Sequence, residues 1–411
     1  MTDWKTYKLG NLIEVKHGFA FKGEFFSDEP TNDILLTPGN FKIGGGFKTD
    51  KFKFYNGDYP DDYVLKEGDI IITMTDLSKA GDTLGYSAKI PSHNGIRYLH
   101  NQRLGLVKFK SNEIDENFLY WILRTQQYQY YIVGSATGST VRHTSPTRIY
   151  NYEFEAPQDI KVQRSIASIL SSLDNKIELN LQMNQTLEAM AQAIFKEWFV
   201  EFNFPGFDGE LVDGLPKGWR KGTLDEIIVV KGGTTPSTTK AEFWDGENYW
   251  TTPRDLSNLR SPVLLNTERK ITEEGVKQIS SGILPKGTLL LSSRAPIGYL
   301  AISQIPVSIN QGYIAIQGKS VSNIFMLFWL NQNMNAVKGR ANGSTFQEIN
   351  KSNFRQIEVI IPEPGVLKQF DNIANPIFER IVANEIENQS LTQSRDTLLP
   401  KLMSGKIEIK V

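Results

Sequence analysis

The chain has no cysteine in 411 residues. That absence excludes a disulfide framework, a thiol nucleophile and any Cys-ligated zinc or iron–sulfur site. Histidine is scarce: His17, His93, His100 and His143 are the whole set, and no two stand three or four residues apart. A metal-binding pair on one helix face is therefore not expected. A Walker A loop, a Gly-x-Ser-x-Gly nucleophile turn and a glycine-rich S-adenosylmethionine loop are also missing. Asn375-Pro376-Ile377-Phe378 has the Asn-Pro-x-aromatic pattern of amino-methyltransferases, but it opens a helical segment and has no cofactor loop to serve. Asp61-Asp62 followed by Glu67 lacks the Glu-x-Lys that would complete a nuclease motif. No run of about 18 apolar residues exists, so no transmembrane helix is expected. The opening MTDWKTYKLGN has no apolar segment of a signal peptide. These absences point to a cytoplasmic protein without chemistry of its own.

Charge of either sign is nearly balanced, with a net of −1, and 40% of residues are hydrophobic. Such a chain buries substantial cores, and at this length two to four compact units are expected. The balance hides local patterning. Residues 83–112 hold no acid but carry Lys89, Arg97, Arg103, Lys108 and Lys110. Residues 117–152 hold none but carry Arg124, Arg142 and Arg148. Residues 275–347 hold none but carry Lys277, Lys286, Arg294, Lys319, Lys338 and Arg340. Exclusion of carboxylates suits a phosphate-facing surface, although solvated faces also vary in composition.

The segment GSATGSTVRH (134–143) reads alone as a phosphate cradle, a catalytic loop or a turn. It has a twin, GRANGSTFQE (339–348), and other pairs follow in the same order. Trp4…Leu9…Lys16-His17-Gly18 matches Trp219…Leu224…Lys231-Gly232-Gly233, and LKEGDIIITMT (65–75) matches LPKGTLLLSSR (284–294). Gly85-Tyr86 matches Gly298-Tyr299, Asn101-Gln102 matches Asn310-Gln311, and Glu153 with Pro157 matches Glu358 with Pro362. The period is too long for a solenoid. It implies two copies of one domain, each mixing strands (69–75, 104–109, 288–293, 312–317) with a helix (113–132, 322–337).

A long helix is expected after each domain. Leu173, Ile177, Asn180, Asn184 and Leu187 share one heptad seam in the first, and Ile377, Asn384, Asn388, Leu391 and Leu398 share it in the second. A buried Asn costs stability but sets register and partner. A helix of about 50–60 Å outruns a small domain, so the two helices are expected to pair with each other. The resulting class is α+β: a first domain (1–158), a central helix (159–204), a Gly/Pro-rich linker (205–216), a second domain (217–363) and a C-terminal helix (364–411).

This arrangement resembles the specificity subunits of type I restriction–modification enzymes. The segments 250–316 (WTTPRDL…LPKGTLLLSSRAPIGYLAI…NQGYIAI) and 163–199 (QRSIASILSSLDNKIELNLQMNQTLEAMAQAIFKEWF) carry the resemblance. It implies an antiparallel helix pair that spaces two target-recognition domains on a bipartite double-stranded DNA site. It implies two modification (methyltransferase) subunits using S-adenosylmethionine, restriction subunits using ATP and Mg, and a bacterial or archaeal cytoplasm. The specificity subunit itself binds no cofactor and catalyses nothing. Base-reading residues vary across such a family, so DNA contacts are expected by loop position. They are Lys79, Asn101, Gln102, Arg103, Ser139, Thr140 and Arg142 in the first domain. In the second they are Arg254, Arg294, Asn310, Gln311, Ser344, Thr345 and Gln347. Partner contacts are expected around the helices, including Trp198-Phe199 unless these are core. The competing reading is a two-domain coiled-coil scaffold that binds proteins without sequence-specific DNA readout.

Overall fold

A computed structural model describes residues 3–409 apart from 50, 93–94, 139 and 343–346. The chain forms two compact units, Met1–Asn175 with Leu391–Val411, and Lys176–Ser390. Each unit therefore combines one domain with part of both long helices, a division the linear order of segments does not suggest.

The two domains share a backbone plan down to register. In the first, strands Ile13–His17, Leu104–Phe109, Ile70–Thr73 and Ser87–Lys89 form one sheet in that order. In the second, Ile228–Lys231, Tyr313–Gly318, Leu289–Ser292 and Leu300–Ser303 do so in the same order, with Val263–Leu264 added at the edge. Leu104 sits opposite Thr73 as Tyr313 sits opposite Ser292, and Leu106 opposite Lys16 as Ala315 opposite Lys231. A first-to-last strand pair recurs as well: Trp4–Lys8 with Glu153–Pro157, and Arg220–Thr223 with Glu358–Ile361. Leu9 N donates to Tyr152 O and Leu224 N to Ile357 O, both at 3.0 Å. The central strands are buried on both faces, which suits their unbroken Ile and Leu runs.

The helix expected over 113–132 is two helices, Glu116–Ile122 and Gln126–Gly134. Thr125 makes the break: its hydroxyl accepts from Tyr128 N and so caps a new helix. The second domain breaks its helix too, at Asn333 (φ −108°, ψ 15°) within Asn323–Gly339. The strand expected over 69–75 likewise splits at Met74, into Ile70–Thr73 and Thr75–Asp76.

The long helices run Ile160–Phe199 and Pro364–Met403, 40 residues each. In the second unit they pair through amides. Asn180 Nδ2 donates to Asn388 Oδ1 at 3.0 Å, and Asn384 Nδ2 donates to Asn184 Oδ1 at 2.7 Å. Four steps forward on one helix match four steps back on the other, so the pair is antiparallel. All four asparagines are buried, whereas Ile177, Leu187 and Ile377 are half-buried. In the first unit Leu173, Leu391 and Leu398 are half-buried, and Asp174 accepts from Arg395 at 2.6 Å and from the buried Arg124. The deepest seam positions are thus polar. Trp198 and Phe199 are core, packed with Phe195 and Phe370. The segment 205–216 is not a bare linker: Leu211–Val212 pairs with Leu215–Pro216, and Phe204 stacks on Trp219 at 5.2 Å.

One carboxyl in the second unit is out of place. Burial, with the Glu385 carboxylate as a second cause, pushes Glu188 up to about 7, and its Oε1 has no hydrogen-bond partner. A raised folded pKa means that the unfolded chain ionises first as pH rises. Stability therefore falls from the ordinary carboxylate range up to about 7. Glu188→Gln should raise the thermal midpoint at pH 8, and the gain should vanish by about pH 4, where Glu itself is protonated in both states. Asn384→Leu should cost about 1–3 kcal/mol by stranding Asn184 Oδ1, read as a lowered denaturation midpoint.

Candidate nucleic-acid interface

Three segments meet at one end of each main sheet, and main-chain bonds alone bring them together. In the first domain Met74 N donates to Arg103 O at 2.9 Å, and Thr144 N donates to Met74 O at 3.0 Å. In the second, Ser293 N donates to Gly312 O at 2.8 Å, and Ile349 N donates to Ser293 O at 3.0 Å. The turn after Asn101 or Asn310, the end of the central strand, and the end of the GST-containing loop therefore lie side by side in both copies. Most of the expected contact residues fall on these three segments.

The Asn-Gln landmark is partly structural. Asn101 Oδ1 accepts from Arg103 N at 3.0 Å and Asn310 Oδ1 from Gly312 N at 2.9 Å, closing the same turn twice. The preceding glycines serve this turn: a Cβ on Gly18 would sit 2.1 Å from Asn101 O, and one on Gly233 would sit 1.8 Å from Ile309 O. The asparagines are thus held inward, while Gln102, Arg103 and Gln311 are exposed beside them. Gln311 Oε1 accepts from Thr235 Oγ1 at 2.6 Å, which ties a loop to the edge that the sequence did not single out.

The GST loop differs in what it presents. Gly138 has φ +94°, and a Cβ there would meet Val141 O at 2.0 Å, so the tight turn requires glycine. Beyond it Arg142 pairs with Asp76 and His143 with Thr75 as a short ladder. Arg142 Nε donates to Lys79 O at 2.7 Å, making this guanidinium a brace for the exposed Lys79 loop. Thr75 Oγ1 and His143 Nδ1 are 3.1 Å apart. The same two positions in the second domain hold Arg294 and Glu348, bridged along the backbone and ion-paired at 3.0 Å, both half-exposed. Glu348 is therefore the counterpart of His143, as the twin segments align it, although it is not among the expected contacts. Thr140 and Gln347 are exposed in their loops. Arg254 is exposed on the short helix Pro253–Ser257 and pairs with Glu268 at 3.6 Å. Pro253, beside it, lies where a Cβ on Gly312 would be 3.0 Å away. Ser139, Ser344 and Thr345 lie outside the described residues.

The acid-free stretches of sequence are not acid-free in space. Arg97 grips Asp33, Lys108 pairs with Asp69 at 3.9 Å, Arg124 pairs with Asp174, and Lys277 pairs with Glu274 at 2.5 Å. Among the described residues, Lys89, Lys110, Arg142, Arg148, Lys286 and Lys319 form no ion pair, nor do Arg103, Lys338 and Arg340. Arg103 stands on the shared edge, while Lys338 and Arg340 lead into the second GST loop. His100 is buried, its Nε2 3.0 Å from Leu104 O, and burial pulls it down to about 4, so it is neutral near pH 7. No acidic or histidine cluster suited to a metal occurs among the described residues.

Asp76 holds the Lys79 loop from below. Its carboxylate accepts from Ser78 N and Thr83 N, both at 2.6 Å, and from Thr83 Oγ1 at 2.7 Å. Burial alone would raise its pKa, but these hydrogen bonds outweigh it and hold the group below the ordinary carboxylate value. A depressed folded pKa contributes stability above the unfolded value, and that stability is lost as pH falls through the folded one. Asp76→Asn should loosen the loop by about 2–3 kcal/mol, seen as faster amide exchange over 77–83. The parent should lose the same protection below about pH 4, and the variant should not.

Comparison with known proteins fits this duplicated plan. Residues 1–189 and 216–392 match the family model described as "Type I restriction modification DNA specificity domain". The MjaIX type I specificity subunit of Methanocaldococcus jannaschii is 37% identical over 190 residues, covering 42% of this chain and 44% of that one. The HindI specificity subunit of Haemophilus influenzae is 24% identical over 99% of this chain and 100% of its own. The crystal structure of an S subunit from M. genitalium has the same fold, with TM-score 0.59 at 17% identity, over 100% of this chain and 97% of that one. With two copies of the specificity domain and the full two-helix plan, the chain belongs to the type I restriction–modification DNA specificity family.

Proposed function

We propose that the chain reads a bipartite double-stranded DNA target, one half-site per domain, and directs partner subunits to it. One observation carries this reading: the two sheet ends share the main-chain bonds through Met74 and Ser293 but present different side chains. Thr75, His143, Arg103 and Gln102 occupy the first edge. Arg294, Glu348 and Gln311 occupy the second. Arg suits guanine, Gln suits adenine, Glu accepts from cytosine, and backbone amides with Lys hold phosphates. Two edges so different have no reason to prefer the same base pairs.

The paired helices are the spacer. A 40-residue helix is about 60 Å long, against about 34–36 Å for one turn of duplex, so a fixed amide register converts into a fixed number of unread base pairs. The chain contributes recognition only. Methyl transfer with S-adenosylmethionine belongs to two modification subunits, and ATP- and Mg-dependent translocation and cleavage belong to restriction subunits. These partners work in the bacterial or archaeal cytoplasm. No described helix is long and apolar enough to cross a membrane.

Methylation sequencing of a host carrying the chain with its modification partner should return one split motif; an unsplit motif, or none, contradicts the reading and favours a protein scaffold. Replacing residues 217–362 by another such domain should change one half of the motif only. Inserting one heptad into each helix of the second unit should lengthen the unread spacer and leave both half-sites unchanged. An unchanged spacer would mean that the helices do not set it.

A further inference from the structure

Each unit carries an open cleft, about 390 Å³ in the first and about 350 Å³ in the second. The two clefts occupy the same place in the repeat. Thr6 and Lys221 line them from the first strand, and Glu153 and Glu358 from the last strand. Ile122 and Trp329 line them from just before the break in the domain helix. Met403 and Phe199 close them from the end of a long helix, the C-terminal helix in the first unit and the central helix in the second. The domain-opening tryptophans seat these helix ends. Trp219 packs on Phe199 at 5.8 Å, and the Trp4 ring lies 2.8 Å from where a Cβ on Gly405 would stand.

The chemistry of the cleft recurs along with its position. Apolar side chains (Tyr152, Phe154 and Met403; Phe195, Phe199 and Trp329) and a rim glutamate line both copies, while Gln127 and Glu155 add polar lining in the first and Lys221 in the second. Glu153 and Glu358 are exposed, and among the described residues neither forms an ion pair. Such a site takes an apolar side chain flanked by a Lys or Arg. Exposed carboxylates make it a poor seat for DNA, since they repel phosphates. A surface that reads different half-sites must differ between the repeats, as the sheet ends do. A surface that meets one kind of partner twice must recur, as the position, the apolar wall and the glutamate of these clefts do.

We infer that each cleft seats one modification subunit, which docks an apolar side chain between the broken helix and the long-helix end and a basic one on Glu153 or Glu358. The inference rests on the recruitment of two modification subunits proposed above. The test uses the full chain co-expressed with its modification subunit and weighed intact by native mass spectrometry. The parent should carry two modification subunits, Glu153→Lys or Glu358→Lys one, and the double variant none, with the melting temperature of each isolated chain unchanged. Both glutamates are exposed, so folding should tolerate the changes; Glu153→Gln with Glu358→Gln, which removes only charge, should still lower occupancy at limiting partner concentration. A double Lys variant that melts like the parent and keeps both modification subunits overturns the assignment. A parent chain that recruits no modification subunit overturns the underlying reading, and this assignment falls with it.

Discussion

Buried amides decide how the long helices meet. Asn184 with Asn384 and Asn180 with Asn388 take positions where leucine would add more burial. Apolar seams slide: moving by a heptad replaces one Leu contact by another at little cost. An amide moved away from its mate leaves a donor and an acceptor dry, a loss of about 1–3 kcal/mol per group. The seam therefore gives up some strength for a single register. The neighbouring Glu385, Glu387 and Ser261 join the same hydrogen-bond set, so the register is also tied to the second domain's own surface.

The sheet ends proposed to read DNA follow the opposite rule. Their geometry comes from main-chain ladders through Met74 and Ser293, and from two Asx-type turns. Side chains there are mostly not needed to hold the edge together. Arg142 and Asp76 are the exceptions, because both work to fix the Lys79 loop. In the second domain the equivalent strand end is held by the Arg294–Glu348 pair instead.

Much of this was legible in the sequence for a physical reason: duplication preserves what folding needs. The Asn-Gln turns and the strand runs recur because each fixes a backbone conformation, and Gly138 does the same for the frame in the first copy. The seam asparagines were legible because helical periodicity puts them on the stripe otherwise held by Leu and Ile. The break at Thr125 was hidden, since a hydroxyl that caps a helix and one that rides on it look alike in a string of letters. Charge was the weakest guide. Asp33, Asp69 and Asp174 lie outside the acid-free stretches yet neutralise cations within them, because ion pairs form across the fold. The twin segments set Glu348 against His143, but its bridge and ion pair with Arg294 appear only in the fold.

The main-chain character of the edges has an evolutionary consequence. When a surface is positioned by its own amides and carbonyls, replacing its side chains leaves the folding free energy nearly unchanged. Most proteins near their stability threshold lose fitness when a binding surface is altered, because the same residues also hold the structure. At the proposed reading edges the two tasks are largely separated, so a lineage can try new side chains at Gln102, Arg103 or Gln347, all exposed, without first acquiring compensating mutations in the core.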